Sequence, residues 1–571
     1  MKKRNIKNLK LTLWSATLAV MLFTACHSPK NAGPDYSWVY DNIEFDMPKV
    51  KEPVFPNNSI NITDLGAVAD GQTLNTEIFA KAIDMMVAKG GGRVIVPAGI
   101  WMTGPIVMKS NINIHLEDGA MVRFSDNFDL YPLVESSFEG IMTWRCQSPI
   151  SGRDLENIAF TGNGVFDGNG QAWRPVKRGK MTANQWRNLV KSGGTLEDND
   201  SYWWPTEQAA RGYIISNRNN LPQLETYEEF LEIKDFLRPV MVSLINCQRV
   251  LLDGLTFQNS PAWNIHPLMC QDVTIRNLTV RNPWYSQNGD GLDLESCKNV
   301  VIYNNNFDVG DDAICFKSGR DKEGRDRAIP TENVIVKNNV VYHGHGGFVV
   351  GSEMSGGVRN VHVSDCTFMG TNIGIRFKST RGRGGIVENI YISNINMIDI
   401  PTEPIRFNMF YGGKAPVLDN GESSTSLIES DAPSVPVTEE TPLFRNIHVK
   451  NIVANGFGNA ALFMGLPELK LENVVLENAI LQAPKGFSII DAEGIVLKNV
   501  KIIRDSGPAL TIFNSNNITI KDFDFNKNVA EPGLAVSGRS SGNIDIQKTD
   551  FNNPDKDILL VNGATNETIG W

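Results

Sequence analysis

Four short segments in the middle of the chain bring together carboxylates, an imidazole and two cations. In order they are Asn288-Gly-Asp-Gly-Leu-Asp, Gly310-Asp-Asp, Gly344-His-Gly and Arg376-Phe-Lys. Crowded carboxylates cannot all remain ionised at low cost, so at least one of their pKa values should rise. Hydrolysis of a glycosidic bond uses such a difference, because a protonated carboxyl protonates the leaving oxygen while an ionised carboxylate activates water. The segments are therefore candidates for a hydrolytic centre containing Asp290, Asp311, Asp312 and His345.

The last segment adds a site for an anion. Arg376 and Lys378 are two residues apart, so on a strand they would point to the same face and could hold a sugar carboxylate, with Arg376 offering a bidentate fork. Taken singly, each segment has an ordinary structural interpretation as solvated loop acids, a turn histidine or a basic strand face. Their order on successive repeats is what favours a shared site.

A repeat determines how these segments are positioned. A phrase of Asn followed by β-prone residues flanking a variable one recurs, for example from Asn157, Asn299, Asn333 and Asn517. Short alternating runs with Asn and Gly at the turns, repeated every 23 or 27 residues, predict an all-β fold, a right-handed parallel β-helix. Residues one coil apart stack at about 5 Å. We therefore expect the four segments to form one groove on four consecutive coils.

Three further features fit this solenoid. Cys247, Cys270 and Cys297 occupy equivalent repeat positions, which predicts an interior ladder rather than a set of disulfides. Apolar residues at helical spacing between Asn75 and Lys89 predict a short N-terminal helix that caps the open end of the solenoid. The turn asparagines are expected to be structural, since Asn tolerates left-handed backbone and forms side-chain ladders.

The N-terminus has the features of an export signal. A basic start, a short apolar run and Thr24-Ala-Cys resemble a bacterial lipoprotein signal, with Cys26 as the lipidated residue. Phe23 stands where leucine is usual, which leaves plain secretion open. We expect a signal peptide over residues 1–25, a linker and lead-in over 26–56, and one β-helix catalytic domain over 57–571 with an insertion around 171–239. The expected location is the bacterial envelope, on its periplasmic or outer-membrane face, with membrane attachment only through this lipid.

The net charge and the residue spacing argue against several kinds of partner and cofactor. The formal net charge is −10, and residues 1–25 hold basic but no acidic side chains, so the remainder is still more acidic. This argues against a nucleic-acid partner. No cluster has the spacing of a metal site, so neither a metal nor another cofactor is expected. We expect a monomer that acts on an anionic polysaccharide through locally clustered Lys and Arg.

The four motifs resemble those of glycoside hydrolase family 28, the polygalacturonases, which read Asn-Thr-Asp, Asp-Asp, Gly-His-Gly and Arg-Ile-Lys. The resemblance extends over about residues 60 to 550 and includes the front segment from Asp64 to Gly71. It implies hydrolysis of α-1,4-galacturonosidic bonds in pectin with inversion at the anomeric carbon.

The resemblance also implies a role for each site residue. Asp311 would be the general acid, tuned by His345. Asp290 and Asp312 would position and deprotonate water, while Arg376 and Lys378 would bind the galacturonate carboxylate beyond the cleavage point. Asn288 and Tyr411 would contact substrate. Gly289 and Phe377 depart from the family motifs, which puts fine specificity in doubt rather than the chemistry.

The insertion around 171–239 is rich in tryptophan and charge. Long loops in compact folds are usually functional, so we expect it to close one end of the groove and make the enzyme exo-acting. The ordinary interpretation is a surface decoration packed by its own tryptophans. Three other functions stay open: a hydrolase of rhamnogalacturonan or another pectin backbone, a pectate lyase, and a non-catalytic glycan-binding β-helix.

Overall fold

The protein is described from a computed structural model that covers residues 35–197, 199–411, 433–549, 551 and 554–570. The expected signal peptide 1–25 and Cys26 lie outside the described residues. The described residues 35–41 belong to one unit, in which Ser37–Tyr40 is a 3₁₀ turn, and the described residues from Asn42 onward form the other. Within the described ranges, we find no helix with the length and hydropathy needed to cross a membrane.

The unit from Asn42 onward is a parallel β-helix whose coils stack into three ladders of strands. The site ladder, named for the residues it carries, contains Ile106–Val107, Ile150–Arg153, Val242–Ile245, Ile265–Leu268, Leu292–Glu295, Ile314–Lys317, the second half of Val340–Val350, Thr371–Lys378, Ile405–Asn408, Asn459–Met464, Lys485–Ile490, Ser506–Phe513, Leu534–Ser537 and Ile558–Val561.

The second ladder contains Ser59–Asn61, Gly92–Val96, Ile112–Leu116, Glu156–Gly162, Gln248–Asp253, Gln271–Arg276, Lys298–Tyr303, Thr331–Lys337, Val358–Ser364, Ile386–Ile400, Leu443–Gly456, Leu471–Gln482, Ala492–Glu493, Val496–Ile503, Asn516–Phe525, Gly542–Gln547 and Ile569–Gly570. The third ladder contains Asp70–Leu74, Gly99–Thr103, Ala120–Phe124, Val165–Asp167, Thr256–Gln258, Thr279–Arg281, Asn306–Asp308, the first half of Val340–Val350, and Thr367–Met369. From Ile386 onward the strands of these two ladders run together.

Alternation along each strand explains the core. On the site ladder Leu292, Ile314, Phe348 and Ile375 are in register and fully buried, so each coil covers its apolar face only by stacking on its neighbours. The predicted right-handed parallel β-helix is confirmed. Cys247, Cys270 and Cys297 are buried free thiols on three successive coils, as the repeat predicts.

The turn asparagines adopt left-handed backbone and bond to one another. Asn299, Asn333 and Asn360 have φ between +55° and +57°. The Asn333 amide donates to Asn299 at 3.2 Å and accepts from Asn360 at 3.1 Å. The expectation that these residues are structural is confirmed.

The predicted capping helix is Thr76–Ala88, and its buried face carries Phe79, Ala82, Ile83 and Met86. These side chains join the main core, so the helix covers the first coils.

The segment predicted as an insertion separates strands that pair directly with each other, since Ile150–Arg153 lies beside Val242–Ile245. It contains helices Ala183–Lys191, Glu207–Ile215 and Tyr227–Leu231, and the antiparallel strands Val176–Lys177, Thr195–Leu196 and Tyr202–Trp204. Outside it, Leu133–Phe138 and Ile141–Cys146 form an antiparallel hairpin, and Asp321–Arg327 and Pro554–Asp557 are short helices. The remaining 3₁₀ turns are Ile62–Leu65, Phe128–Leu130, Gly170–Ala172, Arg178–Lys180, Lys234–Phe236 and Asn566–Thr568.

Residues 42–56, the end of the expected linker and lead-in, pack on the solenoid. Glu52 pairs with Arg276 of the second ladder. Glu44 pairs with His362 at 2.6 Å, and the strand of His362 lies three strands beyond that of Arg276 in the same ladder. We call residues 42–56 the lead-in strap.

Candidate active site

The site ladder positions the four segments on adjacent coils, as their spacing predicts. The amide of Gly291 donates to the Asp312 carbonyl, and that of Ala313 donates to the Gly346 carbonyl, both at 2.9 Å. The strand carrying Arg376 follows, because Val349 pairs with Arg376. The candidate side chains that the sequence predicts therefore lie together on one face of the site ladder.

The three carboxylates form a tight cluster. One oxygen from each of Asp290, Asp311 and Asp312 lies within 4.8 Å of the others. Asp290 and Asp312 are buried, whereas the side chain of Asp311 is 22% exposed. Such a grouping of oxygens could also take a hard cation, which the sequence spacing does not indicate.

Asp312 is held by the two predicted cations. Lys378 Nζ lies 2.7 Å from Asp312 Oδ2, and an Arg376 guanidinium nitrogen lies 3.3 Å from Oδ1. Burial raises the pKa of Asp312, but Lys378 and Arg376 lower it more, and the net pKa is below the ordinary value. Asp312 is therefore an ionised carboxylate.

Asp311 pairs with the predicted imidazole. His345 Nδ1 lies 3.0 Å from Asp311 Oδ1. The Asp311 carboxylate raises the pKa of His345. Burial raises the pKa of Asp311, but His345 lowers it more, so the net pKa of Asp311 is below the ordinary value. The pair thus carries one shared proton, which in the free site resides mainly on the imidazole.

Asp290 has the opposite tendency. Burial raises its pKa well above the ordinary value, and the neighbouring acids Asp293 and Asp311 add to the rise. Its Oδ1 is buried and has no hydrogen-bond partner among the described residues. The cluster therefore contains the split in protonation that glycoside hydrolysis requires.

A second charged group lies directly beside the cluster, and sequence reasoning missed it. Lys317 Nζ is 3.0 Å from Glu353 Oε2, 3.4 Å from Asp293 Oδ1 and 4.7 Å from the centre of the Trp263 ring. All three charged groups are buried. Burial lowers the pKa of Lys317, but the surrounding acids, with the Cys315 thiol, raise it well above the usual range. The available signal was strand alternation, which places Lys317 on the outward face two residues after Cys315.

The two predicted substrate-contacting residues also lie at this site. The side-chain oxygen of Asn288 accepts a hydrogen bond from Arg238 at 2.9 Å. The Tyr411 ring lies 5.6 Å from the Arg376 guanidinium and 5.2 Å from Lys378 Nζ. Tyr411 is 39% exposed, so its ring is available at the rim of the site.

The insertion contributes a large part of the wall. The three clustered aspartates, His345 and the cations Lys317, Arg376 and Lys378 line a cavity of about 370 Å³, within the usual range for a ligand pocket. From the insertion the lining includes Pro175, Lys177, Tyr202, Trp204, Tyr213, Arg218, Asn220 and Arg238. Trp173 is instead buried in an apolar cluster that the insertion shares with Tyr131, Leu133 and Cys146, and Trp186 and Trp203 are buried in a second cluster. The tryptophans thus mainly pack the insertion, and tyrosines and cations supply most of its lining.

The hairpin Leu133–Cys146 contributes one more lining residue, Glu139. Glu139 and Gly140 both have positive φ, +48° and +76°, at the two-residue turn. A Glu-Gly turn between β-prone runs is a weak hairpin signal that could have been found in the sequence.

Comparison with known proteins agrees with this geometry. The family model for glycosyl hydrolases family 28 matches residues 233–429, which contain all four motifs. The structure of an exopolygalacturonase from Thermotoga maritima superposes with a TM-score of 0.62 at 32% identity, covering 80% of this chain and 94% of that one.

Two curated relatives have different modes of action in their names. An exo-poly-alpha-D-galacturonosidase of Dickeya chrysanthemi is 28% identical over 63% of this chain and 58% of its own. An endo-polygalacturonase of Pectobacterium carotovorum subsp. carotovorum is 25% identical over 62% of this chain and 81% of its own. With its parallel β-helix, its four motifs in register and these matches, the chain belongs to glycoside hydrolase family 28.

Proposed function

We propose that this protein hydrolyses α-1,4-galacturonosidic bonds of pectin and releases sugar from a chain end. The observation that carries the proposal is a carboxylate cluster with divided protonation beside two cations, Arg376 and Lys378, inside one cavity. The cations suit a uronic acid, because Arg offers a fork and Lys a point charge to its carboxylate. The polygalacturonase names of the relatives support the same substrate.

In this mechanism the Asp311–His345 pair supplies the proton. The imidazolium donates to Asp311 Oδ1 at 3.0 Å, and the carboxyl so formed donates to the leaving oxygen. Asp312, ionised by its cations, accepts a proton from the attacking water. Asp290 orients that water beside Asp312.

The electrostatics also favour a second assignment. Because burial raises the pKa of Asp290, Asp290 could be the acid, with Asp311 and Asp312 as the ionised pair that activates water. Aryl galacturonides with good leaving groups separate the two assignments. Loss of the general acid is tolerated on such substrates, whereas loss of the base is not. We expect Asp311→Asn to retain most of its rate on the aryl substrate and Asp290→Asn to lose it; the reverse pattern would make Asp290 the acid.

Inversion is the expected stereochemistry. One oxygen from each of the three carboxylates lies within 4.8 Å of the others, which does not by itself separate an inverting from a retaining arrangement. A covalent role is disfavoured for Asp312, since both its oxygens are already paired with cations. Proton NMR of the first product shows which anomer forms, and a retained anomer would contradict the water-attack mechanism.

The insertion supports the exo mode, because its side chains line the same cavity as the catalytic cluster. A wall at one end admits a chain terminus rather than the middle of a polymer. The experiment is product analysis on polygalacturonic acid for the wild type and Asp311→Asn, with absorbance for unsaturated sugars. Galacturonic acid as the sole early product, absent with the variant, is the expected result.

Other outcomes of this experiment select other functions. A ladder of saturated oligomers would retain hydrolysis and reject the exo mode, and unsaturated products would indicate a lyase. Release of sugar from rhamnogalacturonan alone would make that pectin backbone the substrate in place of polygalacturonan. Binding without release from either polymer would indicate a glycan-binding β-helix.

We also propose that the protein is exported and lipid-anchored at Cys26. The support is the sequence around Thr24-Ala-Cys alone. Labelled palmitate should be incorporated into the wild type and not into Cys26→Ser. An unlabelled wild type found in the medium would indicate plain secretion.

A further inference from the structure

A row of polar side chains follows the third ladder on successive coils. Gln258 is in register with Arg281, Arg281 with Asp308, and Asp308 with His343. Three inter-strand spacings separate the first from the last, which is about 14 Å along the solenoid axis. The row lines a surface groove of about 850 Å³ that no step of the proposed mechanism uses.

A tryptophan stands at the edge of this groove. Trp284 is 55% exposed, and no other tryptophan that the structure describes is classed as exposed. Its neighbour Tyr285 packs against the apolar cluster of Val176, Trp186 and Trp203 in the insertion, and the Trp284 and Tyr285 rings are perpendicular at 5.9 Å. The loop is therefore anchored through Tyr285, while the large apolar face of Trp284 is held in solvent, where it suits a ligand.

The floor of the groove is organised in advance. Asn259 donates to Gln171 at 2.6 Å and accepts from Arg174 at 2.7 Å. The Gln258 amide donates to Asp167 at 2.7 Å. Side chains locked in this way lose little conformational freedom when a ligand binds.

The charge of the groove favours an anionic ligand that is rich in hydroxyls. Arg281 is exposed, and its guanidinium makes no ion pair or hydrogen bond with the residues that the structure describes. The side chain of His343 is 61% exposed and bonds to Asp308 through Nδ1. Amides and Asp308 can bond sugar hydroxyls, and Arg281 can bond a carboxylate.

The groove is separate from the catalytic cavity. Trp284 and Tyr285 line the groove, whereas Gln287 and Asn288 of the same loop line the cavity. We propose that the groove is a second polysaccharide-binding site, which holds a segment of an acidic glycan outside the cleavage site. The class of glycan rests on the proposed function, which makes galacturonan the ligand.

The test compares a polymer with a short substrate. Trp284→Ala should raise the KM for polygalacturonic acid about tenfold, the loss of one good aromatic contact, with kcat and all kinetics on trigalacturonate unchanged. Phe457→Ala is the matched control, because Phe457 is a 65% exposed aromatic residue outside the groove. Equal losses on polymer and trimer, or no loss on either, would overturn the proposal.

Affinity electrophoresis tests the groove without catalysis. Asp311→Asn should be retarded in gels that contain polygalacturonic acid, and adding Trp284→Ala or Arg281→Ala should reduce the retardation. Retardation unchanged by both substitutions would contradict the site, as would stronger retardation by fully methyl-esterified pectin. A wild type that is retarded but releases no sugar would refute the proposed hydrolysis while leaving the groove intact.

Discussion

Lys317 is a buried cation beside the carboxylate cluster. It compensates two buried acids, Asp293 and Glu353, at 3.4 Å and 3.0 Å. Lys317→Met should remove the closest cation from both acids and reduce the free energy of unfolding by about 3–5 kcal/mol, which chemical denaturation can measure.

The control is the pair of Lys298 with Glu332, whose nitrogen and oxygen lie 2.9 Å apart and whose cation is half-exposed. Lys298→Met should cost at most about 1 kcal/mol. Equal effects of the two substitutions would mean that the acids beside Lys317 are already neutral in the folded protein.

The Asp311–His345 pair gives activity a defined pH dependence. Because Asp311 raises the pKa of His345, the shared proton is retained above the ordinary histidine value of about 6.5 and lost as the pH rises through the raised value. We expect the basic limb of kcat/KM to lie above pH 6.5. In His345→Gln only the Asp311 carboxyl holds the proton, so the limb should move to lower pH. A limb that stays in place would exclude the pair as the source of the proton.

At this scale the sequence identifies side chains but not the state of their protons. Asp290, Asp311 and Asp312 are chemically alike, and motif order placed all three in one site. Their different pKa values depend on burial and on Lys378, Arg376 and His345 at specific distances, which spacing cannot supply. Lys317 escaped notice because its partner Glu353 belongs to a different coil and to no repeated motif.

The asparagine ladder is the element that sets the turns between coils. Asn333 has φ +57° and bonds to Asn299 and Asn360. Asn333→Ala and Asn333→Gly remove the same bonds, but only alanine suffers the steric cost of left-handed backbone. Alanine should therefore be the less stable variant by about 1 kcal/mol in denaturant unfolding. Equal stabilities would show that the bonds, not the backbone, account for the preference for Asn.

The repeated elements were predictable and the unique ones were not. A repeat supplies many copies of one pattern, so the ladders, the Cys stack and the capping helix Thr76–Ala88 could be derived from periodicity. The insertion occurs once, and its position could be derived only as a break in the repeat. Which of its aromatics face the cavity depends on its own clusters, where Trp173 and Trp186 are buried and Tyr202 and Tyr213 are left at the wall.

At the scale of the whole molecule, a solenoid coil contacts mainly its neighbours, so its stability is a sum of local terms. The lead-in strap is an exception. Glu52 pairs with Arg276, and Glu44 pairs with His362 and, at 3.7 Å, with Lys450. The strand of Lys450 lies five spacings beyond that of Arg276, about 24 Å along the axis. The strap therefore links distant coils that the ladders connect only through the coils between them.

This link should weaken in acid. Burial raises the pKa of Glu44, but the hydrogen bond and charge of His362 lower it more, so its folded pKa is below the unfolded value of about 4.3. The contribution to stability is present above that value and is lost as the pH falls through the folded pKa. Protection of residues 42–56 against proteolytic cleavage should fall below about pH 4, while the paired strand Val358–Ser364 stays uncut. Glu44→Gln should show the lower protection already at pH 6, whereas Glu156→Gln, which alters an exposed pair elsewhere on the second ladder, should not. A strap that opens together with the ladder would show that it is an integral part of the solenoid and not a separate clasp.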